Sequence, residues 1–198
     1  MIQSLKKSRK VQISLIVLIL LILSITGYGI YRQYSPVVIR AGGDYFIPED
    51  VNDLEANSEI IVKVKVSNKS KEYIEYDEEG APLYGHTLTD VKIQEILSDS
   101  NNIVSEENKI QICEPYFHYK VFGVQNYLIT IEDYNPMVSG NEYILYLKSA
   151  KSIGPNVYYV VGNEYGNYAI SKDESMLNSN SKYKKLYDEV IRKSYKDK

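Results

Sequence analysis

The side chains best able to do chemistry are few. The chain holds two histidines and one cysteine, His86, His118 and Cys113. Zinc sites usually take four nitrogen or sulfur ligands, commonly in close pairs. Cys113 and His118 stand five apart with Glu114 between them, and no pair is present, so these residues read as surface or core singletons. No metal and no cofactor is expected. A lone thiol is more often buried than reactive, and one cysteine excludes an internal disulfide. A nucleophile–His–carboxylate triad has no general sequence mark and stays open. No Gly-x-Ser-x-Gly elbow, His-Glu-x-x-His or phosphate loop is present. Asp77, Glu78 and Glu79 are adjacent, as in a solvated loop, and do not form a pair of acids placed across a cleft.

Tyrosine is the compositional outlier, with 20 residues and no tryptophan. Tyrosine suits half-buried strands. It also offers rigid contact area with a polar tip, which serves a platform for glycans, peptides or another protein. The candidates for such a platform are Tyr116, Phe117 and Tyr119, expected in a loop before Val121, and Tyr158 and Tyr159, expected on the two faces of one strand.

Charge is distributed unevenly. Six of the 23 Lys and Arg residues and none of the 26 acidic residues fall within positions 1–43. The remainder has 17 basic against 26 acidic residues, a balance of −9. A domain this acidic is a poor partner for nucleic acid, whose affinity rests on cations neutralising phosphates.

The elements that must position these side chains begin with Val11–Tyr31, 21 residues without a charge. As a helix it spans about 31 Å, the thickness of a bilayer's hydrocarbon core. Lys6, Lys7, Arg9 and Lys10 precede it, and only Arg32 and Arg40 follow, so the positive-inside rule places the N-terminus in the cytoplasm. The reading is a single-pass signal-anchor in the cell membrane with an extracytoplasmic C-terminal domain. A cleavable signal peptide is the competing reading, with Gly27-Tyr28-Gly29 as a weak cleavage site.

Beyond the anchor, Pro48-Glu49-Asp50 reads as the start of a short helix over 48–56. Ile60, Val62, Val64 and Val66 alternate with polar residues, a strand with one wet face. Asp77–Pro82 makes a loop. Thr87, Thr89, Val91 and Ile93 share a face, and the phase slips at a bulge around Gln94-Glu95. Ser98–Asn102 is a turn. Further strands are expected at Ile110–Ile112, Tyr127–Ile131, Tyr143–Leu147, Val157–Val161 and Tyr168–Ile170. Tyr183, Leu186, Tyr187, Val190 and Ile191 follow the helical repeat, with Ser179 or Ser181 as the cap.

Short strands with little helix between them mean mainly antiparallel β structure. The expected fold is mainly β (α+β): a transmembrane helix, then a small OB-like barrel carrying a short N-terminal helix and a C-terminal amphipathic helix. The segments are a basic cytoplasmic stretch 1–10, the transmembrane helix 11–31, a linker 32–47, the barrel domain 48–175 and the C-terminal helix 176–198.

Four segments carry a resemblance: Ser58–Val62, Thr87–Leu97, Gly140–Leu147, and Tyr158–Gly162 with the turn at Gly166. Over residues 45–175 the chain resembles uncharacterised secreted or membrane-anchored proteins of Gram-positive bacteria. The resemblance implies a small β-barrel outside the membrane and brings no established activity. The expected function is therefore a non-enzymatic binding or accessory module at the cell envelope, contacting the membrane and another envelope protein or the cell wall. The alternatives are a membrane-tethered hydrolase with an unrecognised site and an immunity or inhibitor protein.

Overall fold

The computed structural model describes residues 2–99, 108–121, 125–170 and 180–196. The chain divides into two compact units, one of residues 1–39 and 118–128, the other of residues 40–117 and 129–198. The first contains helix α1 (Ile2–Tyr34). Within it Val11–Tyr31 has a mean hydropathy of 2.5 and no buried window, so it has the length and composition of a membrane-crossing helix, which a signal sequence shares. The apolar side chains from Val11 to Leu23 are all about half exposed, with no polar stripe between them, unlike a core helix. The hydroxyls of Ser24 and Thr26 donate back to the carbonyls of Leu20 and Ile22, at 2.8 and 2.9 Å. These two hydroxyls are therefore satisfied within the helix, as an apolar solvent requires. Most of a three-stranded sheet in the order β1–β6–β5 also lies in this unit, from β1 (Val37–Ala41), β5 (Tyr116–Val121) and β6 (Gln125–Ile131).

The second unit is built on a ring of strands. Its members are β2 (Ile60–Tyr76), β3 (Pro82–Asp99), β4 (Lys109–Glu114), β7 (Glu142–Ser149) and β8 (Val157–Val160). They pair in the order β2–β3–β4–β8–β7, and β7 returns to β2. All contacts are antiparallel except β4 with β8. A short β9 (Asn167–Ala169) adds to β7. Alternation then sends every second residue inward. Ile60, Val62, Val64, Val91, Ile93, Ile112, Leu145, Leu147 and Tyr158 fill the interior. The expected bulge exists: register shifts on β3 skip Gln94 and Leu97, and a third places Ser67–Lys69 of β2 against Asp90.

A second apolar layer lies outside the ring. It joins α2 (Val51–Ala56) and α3 (Ser181–Lys196) to the outward side of β2 and β7 through Leu54, Ile61, Ile144, Leu186 and Val190. The short helix starts later than Pro48, because the side chain of Asp50 accepts from the N–H of Asp53 and fixes the first turn there. For α3 the cap is Asn180, whose Oδ1 accepts from the N–H groups of Lys182 and Tyr183 at 3.1 and 3.0 Å. Asn caps as well as Ser does. Ser181 is instead the first helical residue, and Ser179 lies outside the described residues. Of the turn expected at Ser98–Asn102, Ser98 and Asp99 are still strand, paired with Ile61 and Ile60 of β2, and the remainder lies outside the described residues.

Tyrosine builds much of this layer. Tyr168 is fully buried, stacks on Tyr183 at 5.5 Å and 17°, and meets Tyr146 edge-on at 5.9 Å. Its hydroxyl donates to the carbonyl of Tyr165, and that of Tyr183 donates to Asn167 at 2.9 Å. Each ring thus supplies apolar area while its one polar atom stays satisfied. Gly166 lets the chain pass beneath: a Cβ there would stand 2.3 Å from the carbonyl oxygen of Val161. Two truncations should therefore separate. Tyr168→Ala should cost about 3–5 kcal/mol in urea unfolding, as for other buried aromatics, and Tyr159→Ala, which is 40% exposed, less than about 1 kcal/mol.

Candidate functional site

The outward face of β3, β4 and β8 gathers the groups with the most to offer a ligand. On β3, Tyr84, His86, Leu88, Asp90 and Lys92 alternate with the inward Thr87, Thr89 and Val91. Register places Cys113 against Leu88, Gln111 against Asp90 and Lys109 against Lys92 on β4. On the parallel strand β8, Val157 lies beside Gln111 and Tyr159 beside Cys113.

One end of this face is aromatic. His86 stacks on the directly opposite Tyr73 of β2 at 5.3 Å and 13°, with Tyr84 tilted against it at 5.7 Å. The ammonium of Lys71 sits 4.5 Å over the Tyr73 ring, a cation–π contact. Tyr73, Tyr84 and Tyr159 remain 40%, 54% and 40% exposed. Burial, then the neighbouring Cys113, Tyr159 and Glu75, raises the Tyr84 phenol. Burial lowers the pKa of His86, and its Nδ1 has no hydrogen-bond partner among the described residues. The imidazole is thus flanked by two tyrosine rings, one stacked and one tilted.

The middle of the face is closed. Leu88, Cys113 and Val157 are buried beneath Ala150 and Ile153 of the β7–β8 connection. Burial pushes the Cys113 thiol up to about 12, with Glu114 adding to the rise, so it is a neutral packing group. The far end is basic. Lys65, Lys92 and Lys109 stand directly opposite one another across β2, β3 and β4. Lys92 and Lys109 border an open groove of about 420 Å³ whose walls are the Ser67–Lys69 bulge and Pro155-Asn156, and whose floor holds Asp90 and Gln111. Gln111 donates to Asp90 at 2.8 Å. A second groove, of about 450 Å³ between α2, α3 and the end of β3, is spanned by the 2.6 Å ion pair of Lys193 with Glu55.

The residues singled out from sequence divide. Tyr158 points into the ring and is 2% exposed, and Tyr159 lies outward on the next position. The segment expected as a loop is strand β5, as a run of aromatic and branched residues favours, and its first two residues are buried. Tyr116 is held by burial, which pushes its phenol up to about 12, and its carbonyl accepts from the hydroxyl of Thr87 at 2.7 Å. Phe117 lies under Gly85, where an added Cβ would come within 2.5 Å of the ring. Tyr119 is half-buried on β5 in the first unit, as is His118. Of the five, Tyr159 is the one on the aromatic end. Among the described residues no three His, Cys, Asp or Glu side chains come together as ligands for a metal ion. No protein-family model and no curated protein matches the chain.

One further ionisable group is fully enclosed. Glu114 turns inward, where its carboxylate accepts from the hydroxyl of Thr89, the hydroxyl of Tyr134 at 2.8 Å and the N–H of Met137 at 2.8 Å. Burial raises its pKa, and those three bonds oppose the rise. The folded chain therefore keeps this proton above the ordinary value of 4.5, where the unfolded chain releases it. The contribution is complete below that value and is lost as pH rises through the folded pKa. Glu114→Gln keeps an acceptor for Tyr134 and Met137 and removes the titration. Urea unfolding from pH 4 to pH 8 should show a flatter stability profile for this variant than for the parent.

Proposed function

We propose that the protein is a membrane-anchored binding module of the cell envelope and not an enzyme. In this reading α1 is retained as a signal-anchor, with the N-terminus cytoplasmic and the β domain extracytoplasmic. The β domain is OB-like, as in the anchored Gram-positive proteins that the sequence resembles. The ring supports that reading: counted along the chain, its strands close in the order first, second, third, fifth, fourth, with the third and fifth parallel. OB barrels bind ligands on the face of their second and third strands, between the first and fourth interstrand connections. Those parts are β3 and β4, the β2–β3 hairpin and the 150–156 connection.

The observation that carries the reading is the exposed aromatic group on this face, Tyr73, His86 and Tyr84 with Tyr159 beside them. Rings fixed by stacking lose little freedom on contact and present large apolar area with polar edges. The partner is the wall or another envelope protein, and no nucleic acid is involved. The pairing of His86 with tyrosines, with its Nδ1 unpartnered, weighs against a tethered hydrolase.

Two measurements test this. In intact cells, external protease should digest the C-terminal domain and spare an N-terminal tag; a shorter form free in the medium would instead mean a cleaved signal peptide. In the second, the full chain in nonionic detergent should co-sediment with purified envelope fragments. Tyr84→Ala with Tyr159→Ala should weaken that association about tenfold, as the loss of two ring contacts implies. Equal sedimentation of parent and variant would remove this face from the function.

A further inference from the structure

The basic end of the same face is arranged across the strands, and that direction narrows what it can hold. Lys65 is opposite Lys92, and Lys92 is opposite Lys109. Strands lie about 4.8 Å apart, so the three stems form a row about 10 Å long, perpendicular to the strands. All three side chains are exposed. Like charges directly opposite one another destabilise a sheet, and here two such pairs are adjacent on a domain whose overall balance is acidic. The nearest acid in the row, Glu142 opposite Lys65, has its carboxylate engaged by Lys63 at 3.3 Å and Gln94 at 2.6 Å. Asp90, on the groove floor, is bonded by Gln111. Among the described residues, Lys65, Lys92 and Lys109 make no ion pair. Lys69 adds a fourth cation on the wall of the groove.

We infer that this row is a subsite for a linear phosphodiester chain that crosses β2, β3 and β4. The inference rests on the reading of this face as the ligand surface. Charge complementarity requires an anion with several charges at intervals of about 5–7 Å, the reach of neighbouring lysine heads. An acidic peptide would fix itself by adding to a strand edge. Within the row, Lys65 and Lys92 are each paired on both sides, Lys65 with Lys92 and Glu142 and Lys92 with Lys65 and Lys109, so no strand edge is open there. The cations are all lysine. Its ammonium is a rotatable point charge that engages phosphate oxygens without the fixed geometry of arginine's planar fork. No aromatic ring stands beside the row to stack on bases; the rings lie beyond the closed middle of the face. A polymer whose charges are on its own backbone and whose repeat is a polyol fits these features better than an oligonucleotide.

The test uses the full chain in nonionic detergent with three fluorescent probes: a polyglycerol phosphate oligomer, an oligothymidylate of equal charge and a polyglutamate peptide. The polyglycerol phosphate should bind most tightly. Its log K should fall with log salt at a slope of about −2, the value for three phosphates neutralised on a flexible chain. Lys65→Gln, Lys92→Gln and Lys109→Gln together should lower its affinity at least tenfold and bring the slope toward zero. Lys92→Gln alone should raise Tm by about 1–3 °C, because it relieves both repulsive pairs, which also shows that the variant is folded. An unchanged affinity or slope in the triple variant overturns the inference, and so does tighter binding of either other probe. Tyr84→Ala with Tyr159→Ala separates the two readings. If that variant loses envelope association and the lysine variant does not, the face stands as a binding surface and the phosphodiester subsite falls.

Discussion

Pairing of Ile60–Lys65 with Glu142–Leu147 closes the ring, and the rest of the domain depends on that closure. It gives Ile60–Lys65 of β2 two neighbours and turns the period-two pattern into an inside and an outside. The interior is then apolar except for Glu114 and the threonines that face it. That carboxyl occupies the position next after Ile112 on the inward side of β4, and its three donors come from β3 and from the chain between β6 and β7. A polar group at that depth is tolerated because it is bonded on every side available to it.

Closure also decides what the outward faces can do. On the β2–β7 side the outward positions are taken by α2, α3 and a layer of tyrosines. On the β3–β4–β8 side they are left to solvent at both ends. The two faces share one strand chemistry, and they differ in which segments of chain return to cover them. The abundance of tyrosine is explained mainly by the covered side, where Tyr146, Tyr165, Tyr168, Tyr183 and Tyr187 bury their rings and Tyr165, Tyr168 and Tyr183 also satisfy their hydroxyls.

Much of the fold was legible because its signals are local. The 21 uncharged residues of Val11–Tyr31, the alternation over Ile60–Val66 and Thr87–Ile93, the slip near Gln94 and the helical repeat of Tyr183–Ile191 each depend on neighbours in sequence. The site was less legible. Alternation shows that Lys65 and Lys92 point outward, and nothing local shows that they are opposite each other and Lys109, because register is set by the closed ring and by the Ser67–Lys69 bulge. The same holds for His86, which reads as an isolated histidine until pairing places Tyr73 against it. Tyr116 and Phe117 misled because aromatic density looks the same whether a strand's face is open or covered.

The ring has a consequence for the order of events during synthesis. Its first strand, β2, emerges well before β7, its second neighbour, and α3, which covers the outer side of both, comes last. Contacts this distant in sequence impose a large loop-closure cost before they return any stabilisation, and folds dominated by them assemble slowly. The ring therefore cannot close until β7 and β8 have left the ribosome, and its outer layer is completed only when α3 follows.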